Sequence, residues 1–204
     1  MYTRFFKRLI DIVLSLMGIV VLAIPMVVVA IIIKIDDPGP ALFKQKRVGI
    51  HKTEFQLYKF RSMKLNTPNL PTHLLENPDQ YFIGIGKTIR KLSIDELPQL
   101  FNILKGDMSI IGPRPCLWSQ EDLIAERDKY SANDVRPGLT GWAQINGRDE
   151  LEIDVKARFD GEYVEKMSFG FDVKCFFGTI TSVLKHEGVV EGGTGTMNKE
   201  KVEK

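Results

Sequence analysis

At 204 residues the chain has room for one domain with a sizeable core, not for two complete ones. Two cysteines, Cys116 and Cys175, without metal-ligand spacing, and three scattered histidines, His51, His73 and His186, argue against a zinc site and a disulfide framework. The formal net charge of +2 conceals a local asymmetry, since Lys44, Lys46, Arg47, Lys52, Lys59, Arg61 and Lys64 face the single acid Glu54 over 21 residues.

In chain order, the first feature is apolar. Residues 12–33 carry no charge and are rich in Val, Ile and Leu, which gives roughly 33 Å of helix, enough to span a bilayer. The run is too long for a secretory h-region, and no small-residue cleavage site follows it. Pro25 sits inside it, where it removes the hydrogen bond to the Val21 carbonyl and crowds that oxygen. Split there, the arms measure roughly 20 and 12 Å, and neither crosses a core of about 30 Å. Arg4, Lys7 and Arg8 precede the segment and Lys34, Lys44, Lys46 and Arg47 follow it, so the positive-inside tendency wants both ends in the cytoplasm. The favoured reading is a re-entrant helix-break-helix hairpin over residues 1–36, with Pro25 at the membrane break. A kinked span is the alternative.

Asp37, Pro38, Gly39 and Pro40 then mark a turn. Residues 41–47 and 53–63 read as two strands around Val48 and Gly49, with Phe43, Phe55, Leu57 and Phe60 offered to a core. Lys44, Lys46, Lys59 and Arg61 would project from this hairpin as a patch that attracts phosphate. Nucleic acid is the weaker partner, since no zinc-finger, RRM or heptad-plus-basic pattern accompanies the patch. Residues 66–78, with Pro68, Pro71 and Pro78, read as a loop.

Residues 90–99 set Asp95 and Glu96 beside Arg90 and Lys91. Ser93 with Glu96 matches a capping box, and Asp95 in a first helical turn suits the macrodipole. The same place at a helix start also meets phosphate if a divalent cation screens the like charges. The helix continues over 97–104, and Lys105, Gly106 and Asp107 stop it. Arg114, between Pro113 and Pro115, has a fixed direction suited to bidentate phosphate binding; an extended connector is the plainer reading. Residues 117–130 read as a surface helix and 136–142 as a turn. Leu151, Val155, Phe159, Tyr163 and Met167 recur every four residues as a helical stripe. A last helix over about 171–184 exposes Val173, Phe176, Phe177, Ile180, Val183 and Leu184, enough apolar surface to lie on a bilayer. Gly-rich and charged residues over 188–204 read as a flexible tail. The fold class is α+β, mostly helical: the hairpin, a domain over 37–187 with a short β-hairpin and interfacial helices, and the tail.

Taken together, Lys7-Arg8 with Asp11, Gly39-Pro40, Gln45-Lys46-Arg47-Val48-Gly49 and Lys59-Phe60-Arg61-Ser62-Met63 resemble the small monotopic phosphoglycosyl transferases, the bacterial sugar transferases. So do Arg90, Asp95-Glu96-Leu97-Pro98-Gln99, Gly106-Asp107-Met108-Ser109, Gly112-Pro113-Arg114-Pro115 and Pro137-Gly138-Leu139-Thr140-Gly141-Trp142. One departure is Ile24, where the family usually has Ser before the membrane proline, so no hydroxyl is there to bond a freed carbonyl. The resemblance implies transfer of a sugar-1-phosphate from a UDP-sugar to undecaprenyl (polyprenyl) phosphate through a covalent aspartyl intermediate, which starts glycan assembly. It implies Asp95 as nucleophile and Mg²⁺ ligand, with Glu96 as general acid/base or orienting partner. Lys59, Arg61, Arg90 and Arg114, and more distantly Asp160 and Asp172, are implied substrate-binding residues. Implied too are the bacterial inner membrane, with the catalytic domain facing the cytoplasm, membrane lipids as partners, and association with downstream glycosyltransferases or a second copy. Two rivals stand beside this reading: an anchored protein that holds anionic lipid without catalysis, and a single-span enzyme with its catalytic part outside the cell.

Overall fold

A computed structural model describes residues 2–68, 75, 77–147 and 151–185. The expected tail over 188–204, His73, His186 and part of the 66–78 loop lie outside the described residues.

After a π-helical turn over Tyr2–Phe6, helix α1 runs over Lys7–Asp36 with Pro25 inside it. The secondary structure is not interrupted at Pro25, where the sequence places a break between two arms. Leu22, Met26, Val29 and Ile33, on either side of the proline, pack into one cluster with Ala41, Phe60, Ile83 and Ile89. That shared burial carries the helix across the bond the proline cannot make. The buried stripe also holds Asp11 and Ser15, and Gly18 lets Leu100 approach, since a Cβ there would lie 3.1 Å from Leu100 Cδ1. The opposite face, with Val20, Val21, Ile24, Val27 and Ile35, is exposed and apolar. Among the described residues α1 is the one helix long and apolar enough to cross a membrane.

Strands β1 (Leu42–Val48) and β2 (Glu54–Phe60) pair antiparallel from Leu42 opposite Phe60 to Val48 opposite Glu54. A 3₁₀ turn over Ile50–Lys52 joins them. The sequence locates the first strand and the turn within a residue or so, while the second strand ends at Phe60, three residues before its expected end. Phe55, Leu57 and Phe60 are buried, but Phe43 is exposed, because Leu100, Ile103 and Met108 cover the inner face of β2 and leave β1 open. Lys44 and Lys46 point outward as expected. Lys59 and Arg61 do not project; both turn inward.

Helix α2 (Gly86–Lys91) leads to a separate 3₁₀ turn over Ile94–Glu96, and α3 covers Gln99–Lys105. The continuous helix expected from the Asp95–Glu96 pair onward is thus two elements. Nor does the capping box form. Ser93 is left-handed (φ 54°) with no side-chain cap, its amide donates to Arg90 O and its carbonyl accepts from Glu96 N, and Glu96 is drawn away by cations. Gly106 ends α3 at φ 101°, where glycine carries no Cβ penalty.

The sequence does not reveal the second sheet, in which β3 (Ser109–Ile111) and β4 (Gly138–Thr140) pair parallel. Gly112 abuts it so closely that a Cβ would lie 2.5 Å from Arg136 O. Helices α4 (Glu121–Asp128), α5 (Trp142–Ile145), α6 (Ile153–Lys166) and α7 (Phe169–Lys185) complete the fold. The buried face of α6 is Ala157, Asp160, Gly161 and Tyr163, rotated from the apolar row read in the sequence, of which Val155, Phe159 and Met167 are only half-buried. On α7, Cys175 faces the core while Val173, Phe176, Phe177 and Ile180 are exposed, as expected; the side chains of Val183 and Leu184 lie outside the described residues. Cys116 and Cys175 are free thiols.

Candidate active site

The connection between α2 and α3 is a tight bend, and it turns two carboxylates into the domain. Asp95 is 3% and Glu96 8% exposed, which demands compensating charge. Lys59, near the end of β2, supplies it: its Nζ donates to Glu96 Oε1 at 2.9 Å and lies 3.8 Å from Asp95 Oδ2. Arg114 Nη2 reaches the same Glu96 oxygen at 2.8 Å. Arg90, at the end of α2, also bears electrostatically on Asp95, with its guanidinium 5.4 Å from the centre of the Phe82 ring.

Asn102, fully buried on α3, ties α3 to the strand that carries Lys59. Its Oδ1 accepts from Tyr58 N at 2.9 Å and its Nδ2 donates to Gln56 O at 2.7 Å, extending the hydrogen bonding of β2 with a side chain. Burial pushes the Asp95 carboxyl above its usual range; Lys59 pulls it back, Glu96 adds to the rise, and Arg90 and Arg114 oppose it. Burial likewise pushes the Lys59 amine down, against the pull of Glu96 and Asp95. The outcome is two inequivalent acids: Glu96 has Lys59 at 2.9 Å and Arg114 at 2.8 Å, whereas the ion pair of Asp95 with Lys59 is longer, 3.8 Å, and Arg90 and Arg114 act on it electrostatically. The first is suited to orienting, the second to reacting.

Among the described residues no three His, Cys, Asp or Glu side chains gather around a common point. Mg²⁺ would need only one or two protein carboxylates, with its other positions taken by water and substrate phosphate. Asp95 fits as its ligand, since Glu96 Oε1 is shared by Lys59 and Arg114.

A family model described as bacterial sugar transferase matches residues 2–186, which takes in every described residue. The chain belongs to the bacterial sugar transferase family. It is 40% identical over 184 residues to an uncharacterized sugar transferase, EpsL, of Bacillus subtilis, covering 90% of this chain and 89% of that protein. It is 39% identical over 188 residues to the UDP-N-acetylgalactosamine-undecaprenyl-phosphate N-acetylgalactosaminephosphotransferase of Aeromonas hydrophila, with 88% and 44% covered. Against the undecaprenyl-phosphate galactose phosphotransferase of Salmonella typhimurium it is 37% identical over 201 residues, with 91% and 42% covered. The chain thus spans less than half the length of the last two relatives.

Of the residues that this bacterial sugar transferase sequence offers as candidates, Asp95, Glu96, Lys59, Arg90 and Arg114 converge. Three do not. Arg61 is buried and its guanidinium pairs with Asp37, through Oδ1 at 2.5 Å and through the carbonyl, tying β2 to the end of α1. Asp160 receives Arg127 Nε at 2.8 Å and Nη2 at 2.6 Å. Asp172 accepts from Tyr2 at 2.5 Å, Lys7 at 2.7 Å and Tyr163 at 2.8 Å, binding the start of the chain to α6 and α7. Each of these three has an internal partner, although Arg61 Nε is buried without one, and none of the three lies against the Asp95–Glu96 pair, where the resemblance implies substrate binding. Sequence reasoning missed Asn102 and Arg127. The first left a trace, because asparagine is a poor choice inside a short helix unless its side chain has work there; the second lies in the 117–130 segment read as a surface helix and carries no signal of its own.

Proposed function

We propose that this chain transfers a sugar-1-phosphate from a UDP-sugar to undecaprenyl phosphate or a similar polyprenyl phosphate, and so starts glycan assembly. The observation that carries this reading is the buried Asp95–Glu96 pair facing Lys59, Arg90 and Arg114, in a chain whose relatives are named for such transfers. An Asp95 oxygen attacks the β-phosphorus, the bond from that phosphorus to the bridging oxygen breaks, and UMP departs with the electron pair. The phosphosugar remains on Asp95 as an acyl phosphate. A phosphate oxygen of the lipid then attacks the same phosphorus, the Asp95 O–P bond breaks, and the carboxylate is restored with polyprenyl-diphosphate-sugar as product.

Glu96 holds Lys59 and Arg114 where charge on the transferring phosphoryl group needs them. Arg90 adds a third cation on the Asp95 side. Bound Mg²⁺, with Asp95 as its protein ligand, supplies screening between the carboxylate and the diphosphate.

A re-entrant placement of α1, both ends on the cytoplasmic face of the inner membrane, fits the second substrate, whose phosphate lies at that face. It is supported by the anchorage of both ends to one domain. Arg8 donates to Ile103 O at 2.6 Å and Leu104 O at 2.9 Å, while Asp36 accepts from Ile85 N at 3.1 Å.

The test is UMP release from a panel of UDP-sugars by detergent-solubilised protein with Mg²⁺ and undecaprenyl phosphate, wild type beside Asp95→Asn. Release by wild type alone is expected. Equal release by the variant removes Asp95 as nucleophile, and silence of the wild type across the panel favours a lipid-binding anchor without catalysis.

A further inference from the structure

The segment that carries Arg114 lies between two prolines and is held by its carbonyls. Four in succession accept hydrogen bonds: Pro113 O from Gly138 N at 2.8 Å, Arg114 O from Arg127 Nη2 at 3.0 Å, Pro115 O from Arg47 Nη1 at 3.0 Å and Cys116 O from Val48 N at 3.1 Å. Prolines have no N–H to offer, so these bonds decide where the Arg114 side chain starts. The bond at Arg114 itself comes from a guanidinium that is 3% exposed and is oriented by Asp160, 1% exposed.

We propose that Arg127 and Asp160 are positioning residues for catalysis: Asp160 on α6 fixes the plane of the Arg127 guanidinium, whose Nη2 pins the Arg114 carbonyl, so that the Arg114 side chain meets Glu96. A buried ion pair is weak evidence of stability, because desolvation offsets its attraction. Its fork geometry, with Nε and Nη2 on one carboxylate oxygen and Nη2 also on a backbone carbonyl, is a means of aiming. The line from Asp160 through Arg127, Arg114 and Glu96 to Lys59 joins α6, α4, the proline segment, the 3₁₀ turn and β2. The inference rests on Arg114 as a phosphate-binding group.

Arg127→Lys keeps the charge opposite Asp160 but loses the fork. Its kcat for UMP release is expected to fall about tenfold or more, since small misplacements of a positioned group cost that much. In an Arg114→Ala background the same change is expected to cost less than about twofold, because coupled residues are non-additive. Amide hydrogen exchange at Gly138, Val48 and Leu117, whose N–H groups are bonded at this segment, should quicken in Arg127→Lys with little change in Tm. Should Arg127→Lys fold poorly, the paired change Arg127→Met with Asp160→Leu, which removes both charges, takes its place in the same cycle. An equal loss of kcat with and without Arg114, or unchanged exchange at those amides, overturns the proposal. The exchange reading does not depend on turnover, so a wild type that releases no UMP defeats the proposed function and with it the catalytic role, while exchange still decides whether Arg127 holds the Arg114 segment.

Discussion

At the residue scale, Asp95 is held where a carboxylate is least comfortable. Its folded pKa is raised, burial being the main cause. A carboxyl with a raised folded pKa contributes stability that is full below its unfolded value of about 3.9 and is lost as pH rises through the folded value. At neutral pH the ionised group therefore costs stability. Asp95→Asn is expected to melt at or above the wild-type Tm at pH 7.5, with the difference narrowing as pH falls towards 4; a clearly lower Tm at pH 7.5 contradicts the assignment of Asp95 as a strained, reactive group. The sequence makes the pair visible through its two adjacent acids beside cations. It leaves the division of labour hidden, because that depends on Lys59 and Arg114, 36 and 19 residues away from Asp95 in the chain, meeting Glu96 and not Asp95 at short range. The internal partners of Arg61 and Asp160 were hidden for a related reason: a charged side chain in a motif reads the same whether it faces substrate or a buried partner.

At the element scale, the start of α1 is a clasp on the catalytic elements. Arg8 caps the carbonyl end of α3, and Asp11, buried, accepts from Ser109 Oγ at 3.0 Å and Ile110 N at 2.9 Å at the start of β3. Asp11→Ala strands both donors, so a loss of about 1–3 kcal/mol is expected in denaturant unfolding, and Asp11→Asn, which keeps one acceptor oxygen, should lose less. Equal stability of Asp11→Ala and wild type removes the clasp. Elements with strong local signals were legible: the β1–β2 hairpin by its turn and alternation, α7 by its helical spacing and exposed Phe176 and Phe177. The β3–β4 pair was not, since three-residue strands separated by 26 residues carry no period. The face of α6 was misjudged because Asp160, a charge, occupies the core and displaces the apolar row that hydrophobicity alone would bury.

At the scale of the whole molecule, the disposition of α1 limits how the protein meets a membrane. The helix has 30 residues and is about 45 Å long, yet the domain bonds to it near both ends, at Arg8 and Asp11 and again at Asp36 and Asp37. A straight span with this domain on one side would sever one of these sets and uncover the Met26 and Ile33 cluster. A placement in which the exposed stripe through Val20, Ile24 and Ile35 enters lipid from one face keeps every bond. Cysteines at Thr3 and Lys44 report the two flanks, because the native Cys116 and Cys175 are buried. Thr3→Cys and Lys44→Cys are both expected to resist an impermeant maleimide in intact cells and to react in inverted membrane vesicles. Opposite behaviour of the two positions requires a span and a domain detached from one end of α1; reaction of both in intact cells puts the carboxylate pair on the outer face, away from a cytoplasmic supply of nucleotide sugar. The same pair of labels thus decides whether the clasp at Arg8 and the link at Asp37 hold together when the protein sits in its membrane.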